Sequence, residues 1–319
     1  MNFQLRNYKP GDEPVILELF KAADEVDKAE QGMTASDLQT SLTAPYITPD
    51  KDLFIAEADG APAGVVLVEA WPGAIAEHQI LVRGVVHPGF RRRRVGARLL
   101  QAAEACAREI LSAQTDTLPG YLVVFCRSYQ ADRIAFFESW GLTPTRYFFG
   151  MQRDLREELP EPFTPEGFTI RTYRPEDSEA ARLAFDEAFR DHWGAQEVGR
   201  ELWENDFVGV PHFRPELWFL ACDGNEIAGF NYNFIDPGYI EHIGRKEGIV
   251  AEVGTRRPWR KRGLATALLT HTLRALRDAG LDYAFLGVDA ENPNNAGAIY
   301  KRLGFREIRQ SIVFRKQLT

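Results

Sequence analysis

The sequence predicts an α/β chain of the α+β type, built as two copies of one lobe. Three observations predict it: collinear self-similarity, a length that suits two domains, and the same order of apolar segments in both halves. Leu5-Arg6-Asn7-Tyr8-Lys9-Pro10-Gly11-Asp12 returns as Ile170-Arg171-Thr172-Tyr173-Arg174-Pro175-Glu176-Asp177. Ala58-Asp59-Gly60 with Gly64 returns as Cys222-Asp223-Gly224 with Gly229, and residues 91–100 return as 260–269. Phe137-Glu138-Ser139-Trp140-Gly141-Leu142 returns as Tyr300-Lys301-Arg302-Leu303-Gly304-Phe305. The offsets run from 163 to 169 residues and keep one order along the chain, which is the mark of a duplication. A length of 319 residues suits two domains of about 150 each. The first lobe is expected over 1–155 and the second over 168–319. Between them, 156–167 carries Pro160, Pro162 and Pro165 among charges, the composition of a stiff surface linker.

The second lobe justifies each element in turn. Residues 168–174 read as a strand. Pro175-Glu176-Asp177-Ser178 opens a helix with acids in its first turn, where the helix dipole favours them, and 180–189 continue it. Asp191-His192-Trp193-Gly194 closes it in a loop, and 197–205 read as a second helix. Strands 217–222 and 227–235 flank the Asp223-Gly224 hairpin signal. Residues 249–255 form the central strand, followed by helix 263–278, strand 282–288, helix 296–303 and a last strand over 307–316. The first lobe fits the same order with weaker signals.

The most informative stretch runs from Glu252 through Val253-Gly254-Thr255 and the turn Arg256-Arg257-Pro258-Trp259-Arg260-Lys261-Arg262-Gly263 into Leu264-Ala265. It is a strand, a basic glycine turn and an amphipathic helix. The first-turn amides of a helix have no internal partners and carry partial positive charge, so phosphate is a natural ligand there. Gly263 has no Cβ to obstruct an approaching oxygen. A solvated basic run or a nucleic-acid patch is the plain alternative for 256–262. A second element follows at Val288-Asp289-Ala290-Glu291-Asn292-Pro293, where a strand ends in a turn before a short helix that carries Tyr300 and stops at Gly304.

These two motifs, Arg260-x-x-Gly263-x-Ala265 and the Asn292/Tyr300 segment, resemble those of the GNAT acyltransferase superfamily. The resemblance implies a GNAT fold twice, each lobe a mixed, mostly antiparallel central sheet flanked by helices. It implies acetyl-CoA as co-substrate. Arg260, Lys261, Arg262, Gly263, Leu264 and Ala265 would hold its pyrophosphate, and the amides of Val253, Gly254 and Thr255 its pantetheine arm, on a strand that bulges and splays from its neighbour. Asn292 would cap the loop beside that arm. Tyr300, four residues before Gly304, would protonate the leaving thiolate; its plain alternative is a core tyrosine with a wet hydroxyl. The tandem order with one degenerate copy resembles the mycothiol synthase branch in architecture. The resemblance does not carry that branch's acceptor to this chain.

The copies differ in chemistry. The first has Arg94 where the second has Gly263, Phe137 where it has Tyr300, and Ser128-Tyr129-Gln130 in place of the Asn-Pro turn. Phenylalanine donates no proton, so turnover is assigned to the second lobe. A structural and a binding role both remain open for the first.

For the general base, Glu252 is the one carboxylate inside the central strand. Simple alternation places it on the face opposite Ile249, Ala251 and Val253. A paired structural acid is the alternative, and Asp289, Glu291 or a water chain are rivals. The acceptor is expected to be a small molecule with a primary amine, lined by Asp191, His192, Trp193 and Tyr232, with Glu187, Asn231 and Asn233 nearby. Alternative functions are an antibiotic or protein N-terminal acetyltransferase, or a non-catalytic acyl-CoA-binding sensor. Catalytic candidates are thus Tyr300 and Glu252.

A net charge of −8 argues against general nucleic-acid binding, which needs a basic face. No run of about 18 apolar residues suggests a membrane span, and the polar start lacks an apolar signal-type core. A cytoplasmic protein is expected, as monomer or homodimer. Cys106, Cys126 and Cys222 are odd in number and far apart, so neither a disulfide framework nor a zinc spacing is read. The six histidines show no ligand spacing, and no metal is expected.

Overall fold

The computed structural model describes residues 3–30, 32–292 and 296–319. Its contacts divide the chain into two units, Met1–Thr145 with Ile312–Thr319, and Arg146–Ser311.

In the first half of the chain, β1 (Phe3–Asn7) precedes helices α1 (Glu13–Asp27), α2 (Ala35–Thr43) and the single turn α3 (Pro49–Asp52). Strands β2 (Leu53–Ala58), β3 (Ala61–Ala70) and β4 (His78–Val86) follow, then α4 (Val95–Ser112), β5 (Gly120–Arg127), α5 (Ala131–Ser139) and β6 (Thr143–Asp154). The second half repeats this order as β7 (Thr169–Thr172), α6 (Ser178–Phe189), α7 (Arg200–Trp203), β8 (Phe219–Asp223) and β9 (Glu226–Phe234). After β9 come α8 (Pro237–Ile243), β10 (Glu247–Thr255), α9 (Leu264–Asp278), β11 (Tyr283–Asp289), α10 (Ala296–Arg302) and β12 (Arg306–Gln317). The expected second helix over 197–205 is the short α7 extended by a π-helical turn, Glu204–Val208. Helix α8 was not expected; Asp236 caps it by accepting from the Gly238 and Tyr239 amides.

The first unit orders its strands β1-β2-β3-β4-β5-β12, and the second β7-β8-β9-β10-β11-β6. Each sheet is therefore finished by a strand from the other half of the sequence, and the unit boundaries fall at 145/146 and 311/312 instead of near 155. Only β4–β5 and β10–β11 are described as parallel pairs; the other described ladders are antiparallel.

Duplicated residues do duplicated work. Arg6 grips both carboxylate oxygens of Asp12 at 2.8 and 2.9 Å, and Arg171 grips Asp177 at 2.6 and 2.7 Å. Each pair ties the first strand of its copy to the start of the first helix. Asp59 and Gly60 both take positive φ, the requirement of a tight type I′ hairpin. Helix α4 buries Val95, Leu99, Ala103, Cys106 and Ala107 along one stripe; α9 buries Leu264, Leu268, Leu269, Leu273 and Leu276 along its own. All three cysteines are free and buried. The expected linker lies along the second unit: Leu159 enters its core, Glu157 pairs with Arg306, and Glu161 pairs with Arg274. No helix among the described residues is long and apolar enough to cross a membrane.

Candidate active site

Strands β10 and β11 pair only where Glu247, Gly248 and Ile249 meet Tyr283, Ala284 and Phe285. On its other side β10 stays paired with β9 as far as Thr255. Beyond Ile249 the two parallel strands part, and Val253, Gly254 and Thr255 line the opening on one side. The β9–β10 ladder shifts register between Val250 and Glu252, so Ala251 is an extra residue, a β-bulge. The bulge corrects the expectation from simple alternation. Ile249 faces Phe234 and Glu252 faces Tyr232, two residues apart on β9, so Ile249 and Glu252 share a face. Val253, opposite Asn231, points to the other side.

The basic turn closes the opening at its C-terminal end. Lys261 at φ 64° and Gly263 at φ 82° are left-handed, and Gly263 caps α9 with no side-chain capping bond. A Cβ at Gly263 would meet nothing nearer than Pro165 at 3.9 Å, so the approach to the first-turn amides of α9 is open. The residues fit a phosphate through backbone N–H groups at a helix N-terminus. Several basic side chains of the turn are already engaged. Arg256 pairs with Glu187 at 2.6 Å, and Arg257 grips Asp191 through both carboxylate oxygens. Arg260 Nε donates to the Thr255 carbonyl at 3.1 Å and its Nη2 to the Ala188 carbonyl at 3.2 Å. Arg260 thus shapes the turn. Arg262 lies over the Phe168 ring at 4.4 Å, Leu264 is buried, and Lys261 is exposed. The Asn292 amide donates to the Asp289 carbonyl at 3.1 Å; the neighbouring Pro293 lies outside the described residues.

Two titratable groups, Glu252 on β10 and Tyr300 on α10, lie within electrostatic reach of each other. Desolvation alone raises the half-buried Glu252 carboxyl from an ordinary 4.5 to about 7. Tyr300, buried on α10 against Phe305, has its hydroxyl pKa pushed well up, first by burial and then by the Glu252 charge. The Glu252 carboxylate and the Tyr300 hydroxyl are therefore close enough to feel each other. The rival acids are engaged: Arg146 pairs with Asp289 at 3.6 Å and with Glu291.

The expected acceptor lining separates into two groups. Asp191 holds Arg257, His192 packs edge-on to Phe189 at 4.4 Å, and Trp193 lies under Arg146 at 5.9 Å. Burial lowers the His192 pKa, against the opposing charge of Asp289. These three stand on one loop at the mouth of the opening. Arg146, which holds Trp193, Asp289 and Glu291, was missed by the sequence reading; its only signal was a lone basic residue at the start of a strand. Tyr232 belongs elsewhere: it stacks on Trp218 at 4.1 Å and Phe230 at 4.6 Å, and its hydroxyl donates to the Ala181 carbonyl at 3.3 Å. Asn231 and Asn233 are wholly buried on the α9 side of the sheet. Among the described residues no cluster of His, Cys, Asp and Glu is placed to hold a metal ion.

The first unit has the same frame without the same chemistry. Strand β4 pairs with β5 only at residues 78–81, so it splays too, and a cleft of about 750 Å³ opens between Val82, Gly84, Val86, Val124 and Phe136. The β3–β4 ladder runs from Gly64/Val86 to Ala70/Ile80 without a bulge. Arg92 and Arg94 take φ 60° and 65°, repeating the left-handed turn with side chains in place. Arg91 Nε donates to the Val86 carbonyl at 3.3 Å, as Arg260 does to Thr255. That match aligns Gly84 with Val253. Arg133, from α5, donates to the Gly84 carbonyl at 2.9 Å; its counterpart in α10 is Ala296.

Comparisons with known proteins agree with this geometry. The acetyltransferase (GNAT) family pattern matches residues 151–305, and an acetyltransferase (GNAT) domain pattern matches 49–142. A mycothiol acetyltransferase of Thermobispora bispora is 32% identical over 315 residues, covering 96% of this chain and 97% of that protein. Another, of a Parafrankia species, is 29% identical over 331 residues, covering 98% and 97%. A GCN5-related N-acetyltransferase from Sphaerobacter thermophilus superposes with a TM-score of 0.77 at 28% identity, covering 99% of this chain and 95% of its own. A tandem GNAT protein from the clavulanic acid pathway shares the fold, with a TM-score of 0.73 at 18% identity and coverage of 99% and 98%. Proteins of this fold use acyl-CoA. The chain is an acyltransferase with two GNAT domains in tandem and belongs to the GNAT acetyltransferase family.

Proposed function

We propose that the second unit transfers an acetyl group from acetyl-CoA to the primary amine of a small molecule. The observation that carries this reading is the parting of β10 from β11 beyond Ile249, with Glu252 on the parted strand and Tyr300 within electrostatic reach of it. The backbone amides at the start of α9, with Lys261 and Arg262, would hold the pyrophosphate. Val253, Gly254 and Thr255 would position the pantetheine arm and polarise the thioester carbonyl. Glu252, ionised near pH 7, takes a proton from the attacking amine. Once protonated it no longer raises the Tyr300 pKa by its charge, so the hydroxyl becomes a better donor as the thiolate leaves. Environments that push two acids apart in this way are the pattern of acid–base pairs.

Asp191, His192, Trp193 and Arg146 stand where an acceptor would enter. The similarity to mycothiol acetyltransferases makes an amine-bearing mycothiol precursor the first acceptor to assay. The test is thiol release from acetyl-CoA against a panel of amines, with that precursor, amino sugars and short peptides as separate arms. Release with no member of the panel, from protein that binds CoA, would sink the reading in favour of a sensor.

A further inference from the structure

The second unit buries three polar side chains that packing does not require. Asn231, Asn233 and Thr272 are each 0% exposed, on β9, β9 and α9. They form one chain of hydrogen bonds. Asn233 Nδ2 donates to Thr272 Oγ1 at 3.1 Å, Thr272 Oγ1 donates to Asn231 Oδ1, and Asn231 Nδ2 donates to the Glu252 carbonyl at 3.0 Å. The far end is anchored, since Asn233 Nδ2 also donates to the Leu217 carbonyl at 2.6 Å.

The first unit supplies the internal control. Gly64 faces Val86 as Gly229 faces Thr255, which aligns Asn231 with Val66 and Asn233 with Val68. The helix offset given by Arg91 and Arg260 aligns Thr272 with Ala103. Val66, Val68 and Ala103 are all buried in an apolar core. The same fold therefore packs with hydrocarbon at all three places, where no desolvation of polar groups is incurred. The copy with hydrocarbon has an unbroken β3–β4 ladder, and the copy with the polar chain has the bulge at Ala251. The polar chain ends on the carbonyl of Glu252, immediately after that bulge.

We infer that Asn231, oriented by Thr272 and Asn233, is a positioning residue for the acetyl transfer: it fixes the bulge that sets the Glu252 carboxylate and the Val253 and Gly254 amides. The inference rests on the proposed role of Glu252. An extra residue gives a strand local freedom, and a side-chain bond at the point of interruption removes it. A linked chain of bonds orients its terminal donor more firmly than a lone amide would be oriented.

The test compares Asn231→Val, Thr272→Val and Glu252→Gln with the wild type, each checked for a cooperative thermal melt, in the thiol-release assay. Asn231→Val should lower kcat by about 10-fold or more, with a smaller change in the KM for acetyl-CoA, because the pyrophosphate turn is untouched. It should also move the acid limb of the kcat/KM profile by at least about half a pH unit, which a generally weakened fold would not do. Thr272→Val keeps the shape, cuts the chain in its middle, and should act in the same direction with a smaller effect. Wild-type kcat and an unmoved limb in Thr272→Val overturn the inference, whether or not Asn231→Val folds. An active Glu252→Gln would instead refute the proposed base. An inactive Glu252→Gln beside a wild-type-like Asn231→Val would refute the positioning role alone.

Discussion

Replacing Glu252 by Gln should cost activity and return stability, and the two effects should follow the same titration. The rise of its pKa from 4.5 to about 7 corresponds to about 3 kcal/mol of disfavoured ionisation in the folded chain. The folded state binds the proton more tightly than the unfolded state does. Stability is therefore full below pH 4.5, falls as pH rises towards 7, and levels off above it. Glutamine cannot ionise and escapes that loss. Glu252→Gln should thus melt with the wild type near pH 4.5 and above it at pH 8, with a ceiling near 3 kcal/mol, or roughly 6–12 °C for a domain of this size. In the thiol-release assay the wild type should gain kcat/KM with an acid limb centred near pH 7, and Glu252→Gln should lose that limb with about 10²-fold or more of kcat. Melts of wild type and variant that stay parallel from pH 4.5 to 8 would refute the burial argument. A variant within a few-fold of wild-type rate would refute the catalytic one.

Three further outcomes can be checked. Tyr300→Phe should lower kcat by about 10²-fold with little change in acetyl-CoA affinity, measured by steady-state kinetics and calorimetric titration; unchanged kcat would make the ring a core residue only. Gly263→Glu should abolish CoA binding, since the side chain is strained at φ 82° and its carboxylate enters the amide cradle; affinity retained within about threefold, less than about 1 kcal/mol, would displace the site. In that silenced background, Arg133→Ala should strengthen CoA binding to the first unit by freeing the Gly84 carbonyl, and unchanged or weaker binding by native mass spectrometry would reject that role for Arg133.

The parts of the site that were legible in the sequence are those fixed by local rules. Gly263 marks a turn open to close backbone approach, the apolar spacing after it announces α9, and Gly304 stops the helix that carries Tyr300. Asp59-Gly60 and Asp223-Gly224 mark hairpins; Asp59, Gly60 and Gly224 take the positive φ that few other residue types adopt. The resemblance implies a bulge in the central strand, but its place was not legible. Val250-Ala251-Glu252 contains no glycine or proline, and the extra residue exists only relative to β9. With the bulge unplaced, simple alternation inverts the face of Glu252 relative to Ile249. Asn231, Tyr232 and Asn233 were read as lining because they are polar, yet all three are buried. Whether a polar strand residue meets a ligand or a hidden partner depends on a helix some 40 positions later, and no local pattern records it.

The crossing-over of β6 and β12 has a consequence for how the chain can be divided. A fragment ending at residue 155 would keep residues 146–154, which belong to the β11 edge, and would lack Ile312–Thr319, which finish the β5 edge. Its β5 would present bare N–H and C=O groups, a template for aggregation. The complementary fragment would leave β11 bare in the same way. Expressed separately, the halves should be insoluble or poorly folded; expressed together, each would carry the strand the other is missing. The first copy, with Phe137 where the second has Tyr300, is therefore still indispensable: deleting it would remove the strand on which the second unit's sheet closes.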